Sequence, residues 1–395
     1  MAAAARRIRI EERRARLGLR HHLAAQAQAS SVVEVAQGLV GLHATDPASV
    51  YLAAIVRMRT GEPSIIERAL YDERSVIRML GMRRTMFVVP VELAPVVHAA
   101  CTRKIAMQER RRLVHHLDQA RVAADPGTWL KDVEESTLRV LEARGEATAV
   151  ELSDEEPRLR TSLLMAEGKP YQARPNICTR VLFLLAADGR IIRGRPRGSW
   201  TSSQYRWSPL QTWLPGGLPH LPTEAAQLEL ARRWLAAFGP GTVADLQWWS
   251  GWTAGDTRRA LAQLDVAEVD LNGTNGLVLA DDLEPITANA PWAALLPALD
   301  PTAMAWSDRG WFLGGHAPAL FDRSGNIGPT VWWDGRVVGG WAQRREGDIV
   351  FRLLEDIGHD AVAALVAAAE LLSHRMGTVR VTPRFRTPLE QELTA

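Results

Sequence analysis

Along the pattern of apolar and charged positions, residues 11–40 read as helical, with few breakers until Gly38. The next stretch, "VGLHAT" (40–45), reads as extended. "DPASVYLAAIVRMRTG" (46–61) predicts a helix with both ends marked: Asp46 suits the N-cap, Pro47 the first helical position, and Gly61 follows the last turn. A helix near 63–71 leads to "SVIRMLGMRRTMFVVP" (75–90), two apolar runs about a short tip that predict strand, turn and strand. Residues 91–120 read as helical.

The same order returns further on. "STLRVLEARG" ends at Gly145, a helical stretch covers the "VEL" that follows, and "NICTRVLFLLAADG" has helical periodicity up to Gly189. "RIIRGRPRGSWTSSQYRWSP" (190–209) predicts two short strands about a tip rich in arginine and tryptophan. After the Pro/Gly linker 214–223 come the amphipathic helix 224–239, two helices split by a Ser-Gly turn, and a hairpin on an Asn-Gly signal at 272–273. Helices followed by a hairpin are the pattern of a winged helix. From about 290 short aromatic and branched runs broken by Asp-Gly and Gly-Gly predict a β-rich unit, with one helix over 360–377 and a last strand at "TVRVTP" (378–383).

The expected class is therefore α+β: tandem winged-helix units, then a β-rich C-terminal unit. The divisions are 1–120, 121–213 (with a basic wing), 223–285 (an acidic wing, read as scaffold) and 290–395.

Composition narrows the partner. Net charge is only +2, but four segments, 1–22, 101–116, 190–207 and 375–386, each carry +4 or +5, so the rest of the chain is strongly acidic. That asymmetry suits a polyanion-binding face. A bias towards Ala and Arg accounts for arginine over lysine but not for acid-free clusters. The two cysteines lack metal-ligand spacing, the ten histidines include no HxxxH pair, and no stretch approaches the ~20 apolar residues of a membrane span. No metal or cofactor is expected. The N-terminus lacks the apolar run of a secretory signal, so the expected location is cytoplasmic, at the nucleoid if DNA is the partner.

Several blocks resemble a bacterial family of winged-helix DNA glycosylases, the tandem winged-helix proteins similar to azinomycin-resistance and interstrand-crosslink glycosylases. They are "GLHATDP" (41–47), "MRRT" (82–85), "GRIIRGRPRGSW" (189–200), "QYRW" (204–207) and "GPTVWWDGRVVGGWAQR" (328–344). The family's catalytic motif is Gln-apolar-Gln, and here His43-Ala44-Thr45 stands in its place. The resemblance implies double-stranded, damaged DNA as partner, a monomer, and excision of cationic or bulky alkylated purines by water attack at C1′ without a lyase step; Lys104, Lys131 and Lys169 are the only lysines.

A purine alkylated at N3 or N7 is already cationic and leaves without protonation. The protein has only to hold a water and stabilise a sugar with oxocarbenium character. On an extended segment His43 and Thr45 share a face, and either can hydrogen-bond a water. An imidazole of ordinary pKa would also serve as base. Asp46 is expected to orient His43 or offset the sugar's charge, besides capping its helix. For DNA the candidates are Arg83 and Arg84 at the first hairpin tip, Arg193, Arg195 and Arg197 on one face of the second wing, Trp200 at its tip, and Arg206. His21-His22 and His115-His116 read as surface pairs.

Two other readings stay open. One is a non-catalytic DNA-binding protein, a regulator or lesion sequesterer, favoured by the loss of both glutamines. The other is a hydrolase or small-molecule binder with a pocket among Trp306, Trp311 and Trp332.

Overall fold

The computed structural model describes residues 6–165, 168–169, 172–286 and 290–395. Three times the chain runs helix, short extended segment, helix, helix, hairpin, with the extended segment antiparallel to the second hairpin strand. In the first unit these are Val32–Gly38, Leu42–His43, Pro47–Ile55, Pro63–Glu67 (continued by a wider turn to Asp72), and the strands Val76–Leu80 and Met86–Pro90. In the second they are Pro126–Arg144, a bridge from Ala147 to Trp207, Ala149–Glu155, Cys178–Ala187, and the hairpin Ile191–Pro196 with Tyr205–Pro209. In the third they are Thr223–Phe238, a bridge from Gly241 to Leu277, Val243–Ser250, Ala254–Leu261, and the hairpin Val266–Asp270 with Asn275–Leu279.

At each junction between extended segment and helix a side chain caps the helix. Asp46 accepts from the Ala48 N–H, while Thr148 and Thr242 form capping boxes with Glu151 and Asp245.

The C-terminal unit is a four-stranded antiparallel sheet of Ala293–Leu296, Thr330–Trp333, Arg336–Gln343 and Ile349–Leu353, packed by the helix His359–Met376. The strand expected at 378–383 is not formed. There the Val381 N–H donates to the side chain of Gln343 at 2.8 Å, and Pro383 has no N–H to give a ladder. Trp306, Trp311 and Trp332 are buried core, which removes the proposed pocket among them.

One apolar core runs through the first, third and C-terminal units, whereas the second has its own, built on Leu138, Leu152, Val181, Leu185 and Trp207. The arginine-rich N-terminus joins the large core's periphery. Arg6–Arg7 adds a parallel strand beside Val266–Asp270, Arg16 and Arg20 pair with Asp282, and the Arg13 guanidinium lies 4.0 Å over Trp311. This basic cluster is bound within the protein rather than forming a free face.

His21 is not at the surface; it is fully buried. Its Nε2 donates to the Ala237 carbonyl and its Nδ1 accepts from the Thr302 hydroxyl at 2.8 Å. Burial pushes its pKa well down, so the ring is neutral. Thr302 in turn accepts from Arg57, whose Nη atoms hold both oxygens of Asp300 at 2.7 and 2.8 Å. Neither Arg57 nor Asp300 is exposed. Removing one partner of such a pair strands the other charge. Arg57→Met is expected to lower the stability of the main unfolding transition by about 3–5 kcal/mol, read from urea unfolding; an unchanged midpoint would assign the pair no structural weight.

Candidate active site

Val40 and Gly41, at φ 50° and 107°, turn the chain from the helix Val32–Gly38 into the motif strand. A side chain at Gly41 would meet Val89 Cγ1 at 2.9 Å in an already left-handed conformation, so glycine is required there. His43 then pairs with Phe87, and the Ala44 N–H donates to the Met86 carbonyl at 2.7 Å. Beneath the strand Arg78, which is 3% exposed, donates from Nη1 to the Ala44 carbonyl at 2.9 Å. Asp46 ends the motif with one carboxylate oxygen on the Ala48 N–H at 3.1 Å and the other on the Arg384 N–H at 2.9 Å.

A cleft of about 560 Å³ opens beside this strand, between the second unit and the large core. Ala44, Thr45 and Pro47 line one side, and Val150, Leu182, Tyr205 and Trp207 of the second unit the other. Arg193, Arg197 and Arg384 supply its charge, and among the described residues no aspartate or glutamate lines it. That volume is of the size that encloses a drug-sized ligand. Among the described residues no group of three or more His, Cys, Asp or Glu is placed to hold a metal ion.

Thr45 faces the cleft, but His43 does not line it. The alternation that would give them one face stops because the strand ends at His43 and the chain bends into the helix cap. The His43 ring packs edge-on against Phe87, 5.2 Å between centroids. Its Nδ1 and the Thr45 Oγ1 are both buried with no hydrogen-bond partner among the described residues. Burial, and secondarily the charge of Arg83, pushes the His43 pKa down to about 4. The imidazole is therefore neutral at physiological pH and a poor base, contrary to the expectation from its unperturbed value.

The basic candidates divide. Arg193 and Arg197 reach the cleft. Arg195 does not share their face, because the pairing shifts register between Arg193 and Pro196 and turns Arg195 towards Asp72 and Glu67. Arg206 pairs with Glu146 and Arg84 with Glu109. Arg83, at φ 52°, lies 3.9 Å over Trp248 of the third unit, and Arg309 lies over the same ring at 4.8 Å. Trp200 is 5% exposed and stacks on Tyr51 at 4.8 Å, so the second wing's tip is anchored in the first unit rather than presented to a ligand.

Sequence reading missed Arg78, Arg384 and Tyr205. An arginine within the otherwise apolar "VIRML" was the available signal for Arg78. Arg384 lay in a flagged basic segment, but nothing local indicated that its backbone would be tied to Asp46.

The family model of DNA glycosylase AlkZ-like proteins matches residues 36–375. The chain belongs to the AlkZ-like DNA glycosylase family. No curated protein matches it significantly. The fold is similar to that of the Streptomyces sahachiroi DNA glycosylase AlkZ, with a TM-score of 0.71 at 19% identity over 95% of this chain and 98% of that one. Membership makes this AlkZ-like chain a DNA-binding protein of the DNA glycosylase class, which acts in DNA repair. Among the described residues no helix is long and apolar enough to cross a membrane.

The lowered pKa of His43 has a consequence for stability. Below its ordinary pKa the unfolded chain takes up a proton that the folded protein refuses until about pH 4, so stability falls as the pH falls through that window. Between about pH 7 and pH 5 this single group costs about 2 kcal/mol. Urea unfolding of wild type is expected to show that extra loss relative to His43→Gln; equal losses would place the histidine pKa near its normal value.

Proposed function

We propose that this AlkZ-like chain is a monofunctional glycosylase that excises cationic or bulky alkylated purines from double-stranded DNA, acting as a monomer in the cytoplasm at the nucleoid. The observation that carries this reading is the motif itself. At the position of the family's two glutamines, His43 Nδ1 and Thr45 Oγ1 are buried polar atoms without hydrogen-bond partners among the described residues, beside a cleft large enough for a substituted base. Buried polar atoms are nearly always paired; a water or deoxyribose in the cleft would supply a partner to Thr45, and a water enclosed beside the ring would supply one to His43.

The base leaves with the electron pair of the glycosidic bond, which neutralises its own charge. Water adds to C1′ and gives up its proton to the solvent that fills the open cleft. Thr45 is the residue positioned to meet that water, since it lines the cleft. His43 acts as a neutral hydrogen-bonding group from the buried side and does not itself take the proton. Asp46, buried at the motif's end, contributes a fixed negative charge that favours the developing oxocarbenium sugar. Its oxygens are already held by two backbone N–H groups, so it stays oriented without an imidazole partner. The second unit contributes the aromatic wall.

Single-turnover formation of abasic sites on DNA carrying N7-methylguanine, and in parallel a bulky natural-product adduct, tests this reading. Wild type is expected to release base, and Thr45→Ala and His43→Ala to do so about 10²-fold more slowly, the loss typical of a transition-state hydrogen-bonding group. DNA affinity should change only a few-fold. If wild type binds these duplexes and releases base from neither, the non-catalytic DNA-binding reading replaces this one.

A further inference from the structure

The cleft carries a charge imbalance that base excision by itself leaves unexplained. On the second wing and the strand leading into it, Arg190, Arg195 and Arg206 are paired with Glu135, Asp72 and Glu146. Arg193 and Arg197, the two that line the cleft, pair with no carboxylate among the described residues, and neither does Arg384 opposite them. Arg384 is brought there by its own N–H on Asp46, one residue from Thr45.

Behind the wall stands a fourth charge. Arg78 is nine-tenths buried or more, and its Nε and Nη2 have no hydrogen-bond partner among the described residues. The Arg78 and Arg193 guanidiniums lie 4.9 and 5.6 Å from the centroid of the same ring, Tyr205. Desolvation, with the charges of Arg78 and Arg384, pushes the Arg193 pKa down to about 10.

Desolvated guanidiniums without a counter-ion are costly. A base that is itself cationic would also be repelled by them. One bound anion resolves both problems, and a DNA strand brings such anions into the cleft as the phosphodiesters on either side of the target nucleotide. Arginine is well matched to phosphate oxygens through its planar fork of donors. Resting on the DNA glycosylase reading above, we infer that Arg193 and Arg384 hold a phosphodiester adjoining the target nucleotide, with Arg78 reinforcing the positive potential behind them. The cleft then admits a cationic base only as part of a strand, because the strand's own phosphate cancels the repulsion. Arg197, more exposed at the wing tip, adds to the field without being required for the grip.

The test uses a labelled duplex with one tetrahydrofuran site, which cannot be cleaved at a glycosidic bond. The flanking phosphodiesters are replaced one at a time by uncharged methylphosphonate, and affinity is measured by fluorescence anisotropy with the full chain. For wild type, one of the two replacements is expected to raise Kd about 10-fold or more, the effect of losing a charged hydrogen-bond acceptor. For Arg193→Met and Arg384→Met the same replacement should change Kd less than about 2-fold, because the interaction is already gone. Arg193→Lys and Arg384→Lys keep the charge and should recover part of the sensitivity. Wild type that binds all three duplexes equally overturns the proposal, and so do folded methionine variants as sensitive as wild type.

The wild-type comparison needs no variant, so loss of folding in one of them leaves the test intact. Base release is measured separately on N7-methylguanine DNA. Absence of release with the phosphate sensitivity present removes the glycosylase reading alone; release without the sensitivity removes the phosphate grip alone.

Discussion

Arg57 uses all five of its guanidinium hydrogens. They go to the His21 and Ala53 carbonyls, both oxygens of Asp300, and the Thr302 hydroxyl. His21 closes the network onto Ala237 of the third unit. Arg57 stands just past the end of the helix Pro47–Ile55, whose nine residues are all buried, so this network joins the first, third and C-terminal units at one end of that helix. Arg375 holds the same end, donating to the Ile55 and Met58 carbonyls. At the other end Asp46 caps the helix and ties down the segment bearing Arg384. A buried ion pair is weak evidence of net stability, but it is demanding of geometry. Here that geometry fixes the rod on which the motif strand is mounted.

With the helix fixed, the second unit becomes the other jaw. It has its own core, yet Trp200 stacked on Tyr51 fastens its wing to the large body. The cleft is thus bounded by the second unit and the large body, joined where Ile192, Trp200, Leu210 and Trp213 enter the large core, and its charge is left for a ligand to complete. A protein whose net charge is only +2 concentrates arginines that pair with no carboxylate among the described residues: Arg193, Arg197 and Arg384 at the cleft, and Arg83 and Arg309 about Trp248. DNA backbone is the counter-charge this arrangement suits. Affinity from such contacts falls with salt and carries little sequence information, as a repair enzyme that must search all DNA requires.

Local signals in the sequence were reliable where physics is local. The Asp46-Pro47 helix start, the three hairpins, and the helix stops at Gly145 and Gly189 follow from capping and turn chemistry that a few residues decide. What failed needed partners distant in the chain. The seven N-terminal arginines read as a basic face because nothing nearby shows that Asp282 and Trp311 receive several of them. His21 read as surface because Thr302 and Ala237 lie more than two hundred residues away. The apolar alternation at 378–383 could not reveal that a glutamine side chain takes the strand's N–H. At the site, only the resemblance singled out His43 and Thr45. Their divergent facing was not legible, since it depends on where a two-residue strand ends, and one inserted residue in the wing turns Arg195 aside.

The most direct test of this account is a crystal structure of the wild-type protein with a duplex carrying a non-cleavable analogue of an N7-alkylated purine nucleotide. The expected result is the target nucleotide turned out into the cleft between Thr45 and Tyr205, with C1′ about 3–3.5 Å from a water held by the Thr45 hydroxyl, the distance of a near-attack geometry. DNA bound on another face, with the cleft closed to it and the His43 and Thr45 atoms turned towards protein partners, would contradict it.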